Sequence, residues 1–104
     1  MEVDIAEIQR VVGNDQHHFT LHVLERIIER DIQPAEIKEA ILNGEVIECY
    51  LKDKYGPSCL IFGKIAGRVL HIQCSLDPVW IITAYDPGLS PEKWDHGFKK
   101  RKKQ

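Results

Sequence analysis

Two histidine–arginine pairs are the residues in this chain best suited to chemistry. His22 and Arg26 stand four residues apart in a helix-like stretch, and a strand-like stretch reads Gly67-Arg68-Val69-Leu70-His71. Positions i and i+4 of a helix share a face, so His22 and Arg26 point the same way. An imidazole moves protons near neutral pH, and a guanidinium grips phosphate oxygens through its planar fork. Two such pairs converging in one small domain would suit phosphodiester chemistry. Each residue also has a structural alternative. His71 on a strand can be a hydrogen-bonded, half-buried imidazole, and Arg26 can pair with Glu25, Glu29 or Asp31 on a solvated helix face.

The elements that must position these residues are few. A chain of 104 residues makes one domain with a single core, needing neither disulfides nor metal. The composition, 43% apolar and 29% charged, is that of a soluble globular protein, and no apolar run approaches a membrane span. The three cysteines, Cys49, Cys59 and Cys74, have no CxxC spacing, and Met1-Glu2-Val3-Asp4 has no signal-peptide character. A reducing cytoplasm is the expected compartment.

Net charge is −2 but unevenly spread: residues 1–62 hold twelve Asp/Glu and six Lys/Arg, whereas residues 63–104 hold four and eight. The basic half ends in Lys99-Lys100-Arg101-Lys102-Lys103. That asymmetry is compatible with a polyanion touching one side of the fold, with Lys99, Lys100 and Arg101 as contacts, although the run alone favours a solvated terminus.

Periodicity predicts helices first and strands after. Val3, Ile5, Ile8, Val11 and Val12 give a helix over residues 3–12. A second runs from Thr20, its N-cap, to Arg30, with Leu21, Leu24, Ile27 and Ile28 as the apolar stripe. In the third, Pro34 takes the first position, Glu36 favours the positive end, Ile32 staples to Ile37, and Asn43-Gly44 is the stop. Strands follow at Glu45–Leu51, Ser58–Ile65, Arg68–Ser75 and Val79–Tyr85. They are joined by the turns Lys52–Pro57, Ala66-Gly67 and Asp77-Pro78 as an antiparallel meander. Ser90-Pro91-Glu92 opens a short C-terminal helix carrying Trp94 and Phe98. The expected fold class is α+β, with helices on one face of a four-stranded antiparallel sheet.

Strand alternation divides core from site. Leu70, Ile72, Cys74, Trp80, Ile82 and Ala84 share the helix-covered face, with Trp80 as a core or helix-docking residue. His71, Gln73, Thr83 and Tyr85 then line an open polar platform. Arg68, three residues before His71, falls on the opposite face unless a bulge at the hairpin turn returns it.

These residues resemble a known family. His22-x3-Arg26-x2-Glu29-Arg30, Gly44-x2-Ile47-x2-Tyr50, Gly63-x3-Gly67-Arg68-x2-His71, Ile82-Thr83-x-Tyr85-x-Pro87 and Trp94 are similar to the bacterial domain-of-unknown-function family 4258, over about Phe19 to Arg101. Val69 stands where a proline is common there. That family is grouped with RelE-like and BrnT-like toxins of the barnase-RelE fold. The resemblance therefore implies a toxin of a type II toxin–antitoxin system, a metal-independent endoribonuclease (an mRNA interferase) without cofactor. In such chemistry a base takes the ribose 2′-OH proton, an acid protonates the leaving 5′-oxygen, and cations stabilise the transition state. His71 and His22 are the proton carriers expected here. Arg68 and Arg26 hold the phosphate, and Tyr85 donates a hydrogen bond or stacks a base, with Gln73 and Thr83 beside them. The implied partners are RNA, free or ribosome-held, and a cognate antitoxin with a CxxC zinc segment and a helix-turn-helix.

Two other readings compete. A noncatalytic RNA- or protein-binding module would keep the fold without the chemistry. A zinc site would use His17-His18-x3-His22 with Cys59 or His96, but two of these histidines sit in an expected loop and no cysteine pair accompanies them, so no metal is expected.

Overall fold

A computed structural model describes residues 4–52, 56–76 and 78–102. Val3, the turn residues Asp53, Lys54, Tyr55 and Asp77, and Lys103 lie outside these residues. Among the described residues three α-helices form where the caps place them. In α1 (Ile5–Gly13) the Asp4 carboxylate accepts from the Ala6 N–H at 3.0 Å, and Ile8 and Val12 are buried. In α2 (Leu21–Glu29) the Thr20 hydroxyl accepts from the Val23 N–H at 3.0 Å. In α3 (Pro34–Leu42) Pro34 takes the first turn, and the Glu36 carboxylate accepts from the Gln33 N–H at 2.8 Å. Ile37, Ala40 and Ile41 face inward, with Ile32 buried as well.

The second helix is rotated from its expected phase. Val23 and Ile27 are buried and Leu24 partly so, whereas Leu21 and Ile28 are 73% and 78% exposed. Two apolar i, i+4 pairs, Val23/Ile27 and Leu24/Ile28, lie side by side on this helix. The sequence does not rank them. Tertiary contact does: Arg30, just beyond the helix, donates to the Ala84 carbonyl at 2.8 Å and fixes the rotation.

Among the described residues the sheet has five strands, not four, in the order β1-β5-β4-β3-β2. These are β1 (His18–Phe19), β2 (Glu45–Tyr50), β3 (Ser58–Ile65), β4 (Arg68–Ser75) and β5 (Trp80–Tyr85). The last four form the expected antiparallel meander. The added strand β1 runs parallel to β5, pairing His18 with Trp80 and Phe19 with Ile81, where a loop was expected. Two residues are too short for any periodicity to signal.

At Ala66-Gly67 both φ angles are positive, 47° and 84°, the geometry of a two-residue type I′ hairpin. It fixes an unbroken register between β3 and β4, from Ile65↔Arg68 to Ser58↔Ser75. The β4–β5 register is broken once. Gln73 pairs with Thr83 but Cys74 with Ile81, leaving Ile82 as the extra residue of a bulge. Ala84, ahead of the bulge, is in the core as expected, whereas beyond it Ile81 enters the core and Ile82 and Trp80, expected there, turn to the other face.

The helices pack on the face bearing Ile61, Leu70, Ile72, Cys59 and Cys74. Glycine lets α3 approach closely. A Cβ on Gly63 would lie 2.4 Å from the Ala40 carbonyl oxygen, and one on Gly44 would lie 2.5 Å from the same atom. The cysteines Cys59 and Cys74 are free, buried thiols with sulfurs 4.0 Å apart.

The expected C-terminal helix is absent from the described residues. Pro87–Leu89 and Pro91–Lys93 are single 3-10 turns, after which the chain doubles back, with Trp94 bridged to Arg101 and the Lys102 N–H donating to the Lys93 carbonyl at 3.0 Å. Pro91 would permit a helix to start, but the chain turns back at Asp95–Phe98 instead: Phe98 takes φ 60° and the Asp95 N–H donates to the Lys100 carbonyl at 2.8 Å. This segment folds over the second face of the sheet, where Trp94 is buried with Leu60, Phe62 and His71. The sheet therefore carries a large core on one side and a small one on half of the other.

Candidate functional site

His71 lies under that C-terminal segment and is fully buried, which corrects the expected open platform at this position. Its Nε2 is 2.7 Å from the Phe98 carbonyl and its Nδ1 is 3.2 Å from the Tyr85 hydroxyl. A carbonyl only accepts, so Nε2 carries the proton and Nδ1 accepts from Tyr85. Burial lowers the pKa of His71, the Phe98 bond and the Glu48 charge opposing only in part, and burial raises that of the Tyr85 phenol. Burial thus favours the neutral form of both groups, and both imidazole nitrogens have partners.

The four residues of the opening pairs do not form one cluster. Arg68 does not escape strict alternation: the hairpin has no bulge there, and its side chain reaches the helix layer. Its Nη2 donates to the Asp31 carbonyl at 2.9 Å and to Glu36 at 3.2 Å. Arg26 is exposed and pairs with Glu29 at 3.4 Å. His22 is exposed at the rim of a groove beside Trp80 and Ile82.

What does converge is a different set. On the uncovered half of the second face, Tyr50, Lys52, Gln73 and Arg101 line an open concavity of about 520 Å³. The Glu48 carboxylate accepts from the Arg101 Nε at 3.0 and 3.2 Å and from the Tyr50 hydroxyl. Arg101 in turn stacks over Trp94, 4.6 Å from its ring centroid. The Tyr50 phenol is pushed up to about 12 by burial and by its bond to Glu48. The Glu48 bond raises the Arg101 guanidinium still higher. A carboxylate, a protonated phenol and a guanidinium thus share one polar site, with an ammonium at its edge.

The expected substrate-binding residues divide. Gln73 lines the concavity, and Thr83 is its half-buried neighbour on β5. Arg101 is central. Lys99 pairs with Glu45 at 2.5 Å and lies over Phe62, and Lys100 is exposed on the outer loop. Glu48 was not among the sequence candidates. A lone strand glutamate has no spacing signature, and its partner Arg101 is 53 positions away; only Glu48-x-Tyr50, two residues sharing one strand face, hinted at it. Among the described residues no group of three His, Cys, Asp or Glu side chains is placed to hold a metal. None of the helices there is long and apolar enough to cross a membrane.

Fold and site together define a small α+β domain with a half-covered sheet and a charged concavity on the open half. The chain belongs to the family described as Domain of unknown function (DUF4258), whose model matches residues 19–86. No curated protein and no solved structure matches it.

Proposed function

We propose that this domain is an RNA-directed toxin of the RelE-like group, a metal-independent endoribonuclease whose centre is Glu48, Tyr50, Arg101 and Lys52. The observation that carries this reading is that the Tyr50 phenol and the Arg101 guanidinium line one concavity and are both bonded to the Glu48 carboxylate. Glu48 takes the 2′-OH proton as the 2′-oxygen attacks phosphorus, and Tyr50 gives its proton to the leaving 5′-oxygen. The products are a 2′,3′-cyclic phosphate and a 5′-hydroxyl. Proton transfer across the Glu48–Tyr50 hydrogen bond then resets both groups. Arg101 and Lys52 neutralise the charge that builds on the phosphoryl oxygens. His71 and Tyr85, expected as direct participants, become positioning residues that hold the segment carrying Arg101. A cytoplasmic setting and an antitoxin that covers the basic half of the chain belong to the same proposal.

The test is cleavage of an end-labelled RNA, free in the presence of EDTA and on ribosomes in magnesium buffer, with the new termini identified. Glu48→Gln should slow cleavage by about a hundredfold or more. No cleavage by the wild type, free or with ribosomes, or equal cleavage by folded Glu48→Gln, would overturn the assignment. A second reading, RNA binding without cleavage, is favoured by one observation: Arg101 already neutralises Glu48 at 3.0 Å. It predicts salt-sensitive RNA binding and intact RNA.

A further inference from the structure

The larger groove on the same sheet face has no role in the mechanism above. Its volume is about 730 Å³, within the range of small-ligand sites, and Trp80, Ile82, Leu76, Pro57, Pro78 and His22 line it. Its hydroxyls are engaged internally. Ser75 donates to the Pro78 carbonyl at 2.7 Å and accepts from the Trp80 N–H at 2.9 Å, and Thr20 caps α2. The surface left is apolar, with an imidazole at the rim.

Trp80 is 39% exposed, although a tryptophan on a strand beside a core would ordinarily be covered. Its ring is held from one side by His18, with centroids 4.8 Å apart and planes 31° from parallel. An aromatic plane braced in this way loses little freedom when a second plane stacks on it.

The groove adjoins the charged concavity. Ser75 of the groove and Gln73 of the concavity are alternate residues of β4, about 7 Å apart along one face. Gln73 also donates to Ser58 at 3.1 Å, next to Pro57 of the groove. Tyr50 of the concavity, Ser58, Ser75 and Trp80 lie in one row across β2, β3, β4 and β5, so the cationic end and the braced indole are about 14 Å apart between backbones on one face. A polynucleotide offers the complementary pair, an anionic phosphate and a flat base, at such a spacing.

We propose that the Trp80 groove is a nucleobase-binding subsite, stacking the base of a nucleotide one or two along the strand from the phosphate held by Arg101 and Lys52. This rests on the RNA reading above and adds where base preference resides. A protein side chain inserted by a partner is the competing occupant.

Fluorescence anisotropy of a labelled 2′-O-methyl RNA, which cannot be cleaved, compared with an abasic strand of equal length and charge, tests it. Wild type should bind the base-bearing strand about tenfold more tightly. Trp80→Ala should remove that preference and leave abasic binding unchanged, and Trp80→Phe should keep most of it, with circular dichroism confirming the fold of each. A preference that survives Trp80→Ala overturns the subsite while leaving RNA binding standing. Failure of both strands to bind overturns the RNA reading and the subsite with it. A protein partner that buries Trp80 and is not displaced by the base-bearing strand also overturns the subsite.

Discussion

The His71 imidazole donates to the Phe98 carbonyl across 27 positions of sequence, at 2.7 Å, and so ties the C-terminal segment to the sheet. Phe98 itself has φ 60°, a backbone conformation that side chains rarely adopt, so this bond restrains a residue that would otherwise relax. His71→Leu should cost about 1–3 kcal/mol, because the Tyr85 hydroxyl and Phe98 carbonyl lose their partner. The pH dependence has a definite sign. Burial holds the His71 pKa below its ordinary value of 6.5, so the unfolded chain binds this proton first. Its contribution is therefore full above that value and is lost as pH falls through the lowered one. Urea midpoints between pH 8 and 5 should fall for the wild type and fall less for His71→Leu. A residual slope remains from His17, whose pKa burial also lowers.

Arg68 and Arg101 should separate cleanly in function. Arg68→Ala removes bonds to Asp31 and Glu36 on the helix side and should cost about 1–2 kcal/mol of stability. RNA binding at a temperature well below the melt should not change. Arg101→Ala should do the opposite, weakening RNA binding and lowering its salt slope by about one unit, with a small change in melting temperature. Paired thermal melts and salt titrations would read both, and an RNA defect confined to Arg68→Ala would place the phosphate contact on the helix side.

Gly63→Ala should be among the most damaging single-methyl changes in the chain. The added carbon meets the Ala40 carbonyl at 2.4 Å, and backbone cannot swing aside as a side chain can. A loss of about 1–3 kcal/mol or more is expected by chemical denaturation.

Ala66→Asn should stabilise. Ala66 occupies the first central position of a type I′ turn with φ 47°, where asparagine is favoured. A gain of about 0.5–1 kcal/mol is expected, read as a higher urea midpoint with an unchanged slope.

Local chemistry made much of the fold legible. Thr20, Pro34, Asn43 and the Ala66-Gly67 turn each act within a few residues, and the structure places them at the ends of elements. What was not legible depends on contacts between distant segments. The choice of Val23/Ile27 over Leu24/Ile28 follows from packing on β5, and the bulge at Ile82 follows from register with β4. The path of residues 87–102 is set by the burial of Trp94 on His71. The site shared this fate. Gln73 was readable from alternation, whereas Glu48 and Arg101 meet only when the chain's end returns to its second strand.

That return bears on how the protein should be handled. Arg101 lines the concavity, and its exposed neighbour Lys102 follows directly, whereas α1 packs on α3 in the helix layer behind the sheet. A bulky fluorescent label attached at Lys102 would sit beside the site and crowd it, while the same label at the exposed Ala6 of α1 would leave it open. Comparing the two labelled forms is a simple way to ask whether a weak activity belongs to the concavity.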